Sequence, residues 1–494
     1  MRRPAMVLAV GAMLALFLGL LLPSTTGAAG EGACANSLYQ PSGQSFWVAA
    51  PASSNANGPV VVFVHGYTSD HGTWTGSNYA VQHACEQGYR VAAVDLGPES
   101  SIWSNGAQLT GLLQQITAYY NVSQVSVMAH SKGGLDTQTA IVHYGAWPYV
   151  KNYVAFGSPF GGTDLADHAC SWYGFWLWQC NDATYTMQTG YMSYVRSITD
   201  GRPENDTVAA FAARGSKCLW YNPACVLISG PDDGVVPTWS VWANGEDTHI
   251  SDRSDLTHFA VHQTQNYNRS WLFSYLNAAP RSSNNRLAAP TAYPSSSHTL
   301  RAGALDGKVA ESVPVESGLK GVSFDLLTHG PAAVSVIAPS GTRYAAEAIP
   351  SSEGDILRGT HYRVTVERPE AGLWTVSASA SAPGSGYLLT VSYEGGLTVT
   401  LPTNVAVVHR PSEAIALGLR SSRPVNDPRI TILLRDGAHN VVATANSEGA
   451  LPLPAQSGVY TVEATLQGTL ADGSAVERTL VSSIAVVAEG ESLR

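Results

Sequence analysis

Several apolar runs in the first half of the chain share one shape, with consecutive aliphatic residues that stop at a glycine or a polar turn. Residues 59–67 read PVVVFVHGY, residues 89–96 read YRVAAVDL, residues 124–130 read QVSVMAH, and residues 150–157 read VKNYVAFG. Runs apolar on both faces suit strands buried inside a parallel sheet. A shorter run, CVLISG at residues 225–230, is assigned as a fifth strand. Between the runs, residues 78–87, 105–120 and 132–144 carry apolar positions at helical spacing, and a last helix is expected over residues 256–276. Strands alternating with helices predict a doubly wound parallel sheet, with ligands at the strand C-termini.

After residue 276 the pattern changes. Residues 277–299 are rich in Pro, Ser, Asn and Ala without a hydrophobic period, which marks a linker. Beyond it lie short alternating segments separated by turn residues. They fall at residues 321–327, 332–338, 362–367, 373–379 and 387–393, then at 397–401, 415–419, 430–434, 441–445, 458–464 and 478–487. Such runs predict two β-sandwiches, over residues 300–395 and 396–494, the second immunoglobulin-like.

Composition narrows the function. The chain has 494 residues, only 13% of them charged, and a net charge of −10, which offers no basic patch for nucleic acid. Residues 1–29 combine Arg2 and Arg3, an apolar run from Val7 to Leu22 and a small-residue stretch before Gly30, the pattern of a secretory signal peptide. The run is short for a membrane span of about 20 residues. The mature domain is therefore expected to begin at residue 30 and to be extracellular. All six cysteines, Cys34, Cys85, Cys170, Cys180, Cys218 and Cys225, lie in the first half. An even count after a signal peptide reads as disulfides, and local spacing favours Cys170 with Cys180 and Cys218 with Cys225, which leaves Cys34 for Cys85.

The candidate chemistry centres on Ala129-His130-Ser131-Lys132-Gly133-Gly134, where the third long run breaks into a helix. A serine nucleophile needs exposure and a base, and small residues on either side of it permit the sharp strand-turn-helix elbow. Downstream, Asp232-Asp233-Gly234 follows the CVLISG segment, and His258 precedes the expected last helix. Asp233 is the first choice for the acid, with Asp232 as the fallback. Among His249, His258 and His262, His258 is preferred. His249 sits on a polar stretch read as an exposed turn, and His262 is expected to point into packing or solvent.

Together the His65-Gly66 turn, the Ala-His-Ser elbow, the Asp-Gly after a strand and the late histidine resemble the secreted bacterial lipases and esterases of the α/β-hydrolase superfamily, over about residues 35–276. The resemblance implies a carboxylic ester hydrolase acting on lipid esters, with a Ser131–Asp233–His258 triad and main-chain oxyanion donors at Tyr67 and Lys132. A main-chain donor survives side-chain substitution, so Lys132→Ala is expected to be mild. The aromatic loop between Cys170 and Cys180 holds Trp172, Tyr173, Phe175, Trp176 and Trp178, too many to face inward together, and is expected to meet lipid or polyester substrate.

An extracellular polyhydroxyalkanoate depolymerase is the alternative enzyme, and a cell-surface adhesin with an inactive hydrolase domain is the alternative of another class. No cofactor is expected. Asp247, Asp252 and Asp255 offer oxygens to a structural calcium, but their spacing matches no recognised loop. With one tryptophan, Trp374, the tail lacks the aromatic platforms of a sugar-binding module, so attachment to a cell surface or matrix is the expectation for it.

Overall fold

The computed structural model describes residues 34–50, 53–176, 180–218, 223–242, 249–279, 293–349, 357, 359–380, 385–401, 407–445 and 450–494. The signal-peptide segment, Trp178 and Asp247 lie outside them. The first half builds a seven-stranded sheet in the order β1-β3-β2-β4-β5-β6-β7. Its strands are β1 (Trp47–Val48), β2 (Val60–Val64), β3 (Arg90–Val94), β4 (Val125–His130), β5 (Val150–Phe156), β6 (Ala209–Gly215) and β7 (His249–Arg253). All neighbours pair in parallel except β1 with β3. Every residue of β2 and β4 is buried, as strands covered on both faces require. Helices α1 (Ala80–Glu86), α2 (Ile102–Tyr120) and α3 (Lys132–His143) connect the strands.

Two assignments change. Residues 225–230 form no strand. Helix α8 (Pro223–Val226) occupies their start, after the short insertion helices α4 (Asp164–Ala169), α5 (Trp172–Trp176), α6 (Asp182–Thr186) and α7 (Thr189–Thr199). The strand beside β5 is instead Ala209–Gly215, whose sequence AAFAARG carries no β-branched residue and becomes a strand through burial between β5 and β7. The single helix expected over residues 256–276 is also broken. A 3-10 turn covers Thr264–Asn266, and α9 runs over Arg269–Ser274, restarted by the Asn268 side chain, which accepts the Trp271 N–H at 3.0 Å.

The second half consists of antiparallel sheets. A four-stranded and a five-stranded sheet cover Lys308–Val315 to Ser385–Glu394 together with His298–Leu305. A further five-stranded sheet centres on Gly458–Thr469 and Ala475–Val486. The strands His298–Leu305 and Lys308–Val315 were not anticipated, and the first begins within the segment read as linker. Arg478, fully buried, pairs with Glu316 at 2.5 Å and stacks on Tyr393 at 3.9 Å, which joins the two sandwiches.

The tail is docked on the hydrolase half. Leu300, Leu388, Val459, Val481 and Ala485 share one apolar core with residues of the first half. A Cβ on Gly190, in α7, would lie 2.6 Å from the Ile484 backbone, so this contact requires glycine. Tyr191 Oη donates to the Leu493 carbonyl at 3.0 Å, and the Arg494 guanidinium lies 4.2 Å from the Trp103 ring centre.

Candidate active site

The sheet delivers the elbow to a cleft of about 660 Å³. β4 ends at His130, and Ser131 takes φ 55° and ψ −129° before α3 begins. This conformation is strained for a residue with a side chain, and the neighbours enforce it. A Cβ at Gly133 would meet the His65 carbonyl oxygen at 2.4 Å, and one at Gly66 would meet the Ser131 Cβ at 2.7 Å. Glycine at both places lets the His-Gly turn and the elbow touch through their backbones. His65 braces the turn, because its Nδ1 donates to the Gly66 carbonyl at 2.8 Å and its Nε2 accepts the Leu96 N–H at 2.9 Å. Burial lowers its pKa.

Asp233 lies in the loop that follows α8, and its backbone accepts the His258 N–H at 2.8 Å. Its Oδ2 is 2.9 Å from His258 Nδ1, while its Oδ1 accepts the N–H groups of Val235 at 3.0 Å and Val236 at 2.8 Å. Asp232 turns elsewhere. It accepts the Gly234 N–H at 2.8 Å, and burial pushes its carboxyl up to about 8. Ser131, His258, Tyr67, His130, Met187, Val235, Val236 and Phe259 all line the cleft, opposite a wall of hydroxyl and amide side chains from Thr68 to Asn78. With Asp233 at Nδ1, the Nε2 of His258 is the nitrogen left for a proton transfer.

Lys132 contains a surprise. Its side chain is not solvated but fully buried, with Nζ 2.9 and 3.0 Å from the two oxygens of Asp136, which also accepts from Asn105 Nδ2 at 2.9 Å. Burial pulls the lysine down and the aspartate up. The expectation that Lys132→Ala is mild is therefore corrected, since the substitution would strand a buried carboxylate.

His262 is packed, as one of the two expected alternatives had it, but against the site itself. It is buried and lines the cleft, with its ring 3.9 Å from that of His130. The signal available in sequence was its spacing of four from His258. His249 opens strand β7 rather than an exposed turn. The aromatic loop does not reach the cleft where it is described. Tyr173 is buried against His168, and Trp172 lies under the Arg435 guanidinium at 5.8 Å. These two side chains sit at the seam with the tail, because α5 packs on Ser385–Glu394 and His298–Leu305. Phe175 and Trp176 belong to α5 by their backbone. The disulfides are Cys34–Cys85, Cys170–Cys180 and Cys218–Cys225. Among the described residues, Cys218, Cys225 and Asp232 bring three ligand-type atoms together, but the two sulfurs are already bonded to each other. Asp252 and Asp255 are instead paired with Arg214 and Arg253 at 2.6 and 2.7 Å. Among the described residues no helix is long and apolar enough to cross a membrane.

A parallel sheet with a strained serine elbow at the end of one central strand, and an Asp–His pair beside it, defines an α/β-hydrolase fold, here followed by β-sandwich domains. No family model and no curated protein matches the chain. Among solved structures it is similar to the propeptide form of the Bacillus licheniformis lipase BlEst2, with 24% identity over 90% of this chain and 98% of that one and a TM-score of 0.71. The mature form of that lipase aligns with 45% of this chain and 92% of its own, at 29% identity and a TM-score of 0.40. Aspergillus fumigatus lipase B aligns with 49% of this chain and 58% of its own, at 17% identity and a TM-score of 0.35. The first of these likenesses shows that the whole architecture, tail included, is one that a bacterial lipase also adopts.

Proposed function

We propose that the protein is a secreted serine hydrolase that cleaves carboxylic esters of lipids through an acyl-enzyme. The observation that carries this reading is the Asp233–His258 contact of 2.9 Å, with His258 lining the same cleft as the strained Ser131. Ser131 Oγ attacks the ester carbonyl carbon as His258 Nε2 takes its proton. The oxyanion is held by the main-chain N–H groups of Tyr67 and Lys132. Collapse breaks the bond to the alcohol oxygen, which leaves with the proton from His258. Water, deprotonated by the same imidazole, then releases the acid. Asp233 holds the imidazole tautomer and stabilises the imidazolium.

An apolar wall of Pro159, Met187, Val235 and Val236 suits the acyl chain, and the Thr68–Asn78 wall suits a polar alcohol. Three disulfides and the leader-like N-terminus support an extracellular site of action. The neighbour described as a propeptide form, set beside the docked seam, favours a tail that is a removable partner of the hydrolase domain.

The test is labelling by a fluorophosphonate probe, followed by p-nitrophenyl esters of increasing chain length. Labelling of wild type and its loss in Ser131→Ala are expected, and persistence of the label in the mutant overturns the assignment. Clearing of polyhydroxyalkanoate granules but not of emulsified triglyceride would assign the depolymerase instead.

A further inference from the structure

Three imidazoles meet at the cleft, and the triad uses one of them. The ring centre of His130 is 4.7 Å from that of His258 and 3.9 Å from that of His262, the latter pair stacked at 27°. His130 Nε2 lies 3.0 Å from the His258 carbonyl oxygen. A carbonyl can only accept, so this nitrogen carries the proton and donates. His262 in turn sets its Nε2 3.3 Å from Thr73 Oγ1 and receives Trp74, itself fully buried, on its ring at 5.4 Å and 82°.

We propose that His130 is a positioning residue for the base, clamping the His258 backbone to the elbow through its Nε2–H, with His262 holding the His130 ring by stacking. The proposal rests on the serine-hydrolase reading above. It ties together the segments that must agree within a fraction of an ångström: the elbow that carries Ser131, the loop that carries His258, and the Thr73–Trp74 wall. Asp233 fixes His258 from its Nδ1 side and through its backbone N–H, whereas His130 fixes the carbonyl of the same residue. The base is thus held by both of its backbone polar groups, on either side of its Cα.

Both helper rings are suited to the task by being uncharged. Burial, with the neighbouring imidazoles adding to it, depresses His130 well below the ordinary histidine value and His262 to about 3. The groups facing them are His262, His258 and His65 for His130, and His258 with the Thr73 backbone for His262. Among the described residues no carboxylate is paired with either ring as Asp233 is with His258.

The experiment compares His130→Ala, His130→Gln and His262→Phe in the full chain. Glutamine can place an N–H near the lost Nε2–H, and phenylalanine keeps the stack without a polar atom. His130→Ala is expected to lower kcat about 10- to 100-fold with KM changed less than about twofold, and His130→Gln and His262→Phe to retain most of the activity. A downfield proton resonance from His258 Nδ1–H is read in parallel, since it reports base geometry whether or not a substrate is known. Its loss in His130→Ala and return in His130→Gln support the clamp. An unchanged resonance in His130→Ala, or equal loss in His130→Ala and His130→Gln, overturns it. Failure of the fluorophosphonate probe to label wild type would instead sink the hydrolase reading, and the resonance would still decide the clamp.

Discussion

Asp233 and Asp167 are both fully buried carboxylates, and their surroundings differ in kind. Asp233 faces the imidazole of His258 and two backbone N–H groups. Asp167, in α4 at the seam with the tail, faces hydroxyls and one amide: Ser483 Oγ at 2.6 Å, Thr189 Oγ1 at 2.6 Å and the Thr189 N–H at 3.0 Å. With Asp164 nearby and, among the described residues, no cation against it, burial pushes the Asp167 carboxyl up to about 7, and that of Asp164 to about 6. On the proposed reading, one aspartate acts on a partner that changes charge during turnover. The other joins two domains as a neutral hydrogen-bonding group, at a cost that grows when it ionises.

The sharpest way to break this contrast is at the acid. Asp233→Asn is expected to lower kcat about 10⁴-fold, the scale seen when a triad aspartate becomes an amide. Asp232→Asn, one residue away, should leave kcat within about tenfold, because its carboxyl bonds Gly234 and not the base. Steady-state kinetics on a p-nitrophenyl ester separates the two. If Asp232→Asn is the more damaging, the assignment of the acid is wrong.

Lys132→Ala comes next, with an expected loss of about 3–5 kcal/mol of stability from the unpaired Asp136, read by denaturant unfolding. A double substitution, Lys132→Met with Asp136→Leu, should recover much of that loss, because it removes both charges together.

At the seam, Gly190→Ala forces a methyl against the Ile484 backbone and should cost about 1–3 kcal/mol. The sign of its effect on the two halves is informative. Protease sensitivity of the segment between them should rise, while fluorophosphonate labelling of Ser131 stays. Labelling lost together with docking would mean that the tail holds the cleft in shape.

Stability against pH probes the Asp167 side of the contrast. A carboxyl whose pKa is raised in the docked, folded state binds its proton more tightly there than in the unfolded chain. Its contribution is therefore fully present below the ordinary carboxylate value and is lost as pH rises towards about 7 for Asp167. The unfolding midpoint should fall from about pH 4 to about pH 7, and more shallowly in Asp167→Asn, which keeps the hydrogen bonds without the titration. An identical slope in the two proteins would remove Asp167 from the account.

Much of the sheet was legible because local physics wrote it. Val60–Val64 and Val125–His130 are apolar on every position, and no other element suits so short a run flanked by turns. The elbow was legible for the same reason, since a serine between small residues at the end of such a run has few conformations open to it. Ala209–Gly215 was not legible. Alanine favours helix by itself, and the segment is extended because β5 and β7 hold its backbone on either side. The Cys225–Gly230 run misled in the opposite sense, because Pro223 and the Cys218–Cys225 disulfide close that segment into a turn.

Trp172 and Tyr173 lie away from the cleft for a related reason. Five aromatic residues in a short loop call for a surface to cover them, and nothing local says whether that surface is a substrate or the chain's own tail. The described part of the loop lies against the tail.

By itself the sequence determined the parallel sheet, the serine elbow, the β-rich second half and a short roll of acids and histidines, because periodicity, turn chemistry and chain order are properties of neighbours. Only the tertiary structure decided that Asp233 rather than Asp232 meets His258, that His130 and His262 stack beside it, that Lys132 is buried on Asp136, and that the tail is packed against α4, α5 and α7. Each of these is a contact between residues distant in sequence or a choice between adjacent side chains, and burial assigns the partners once the fold has closed.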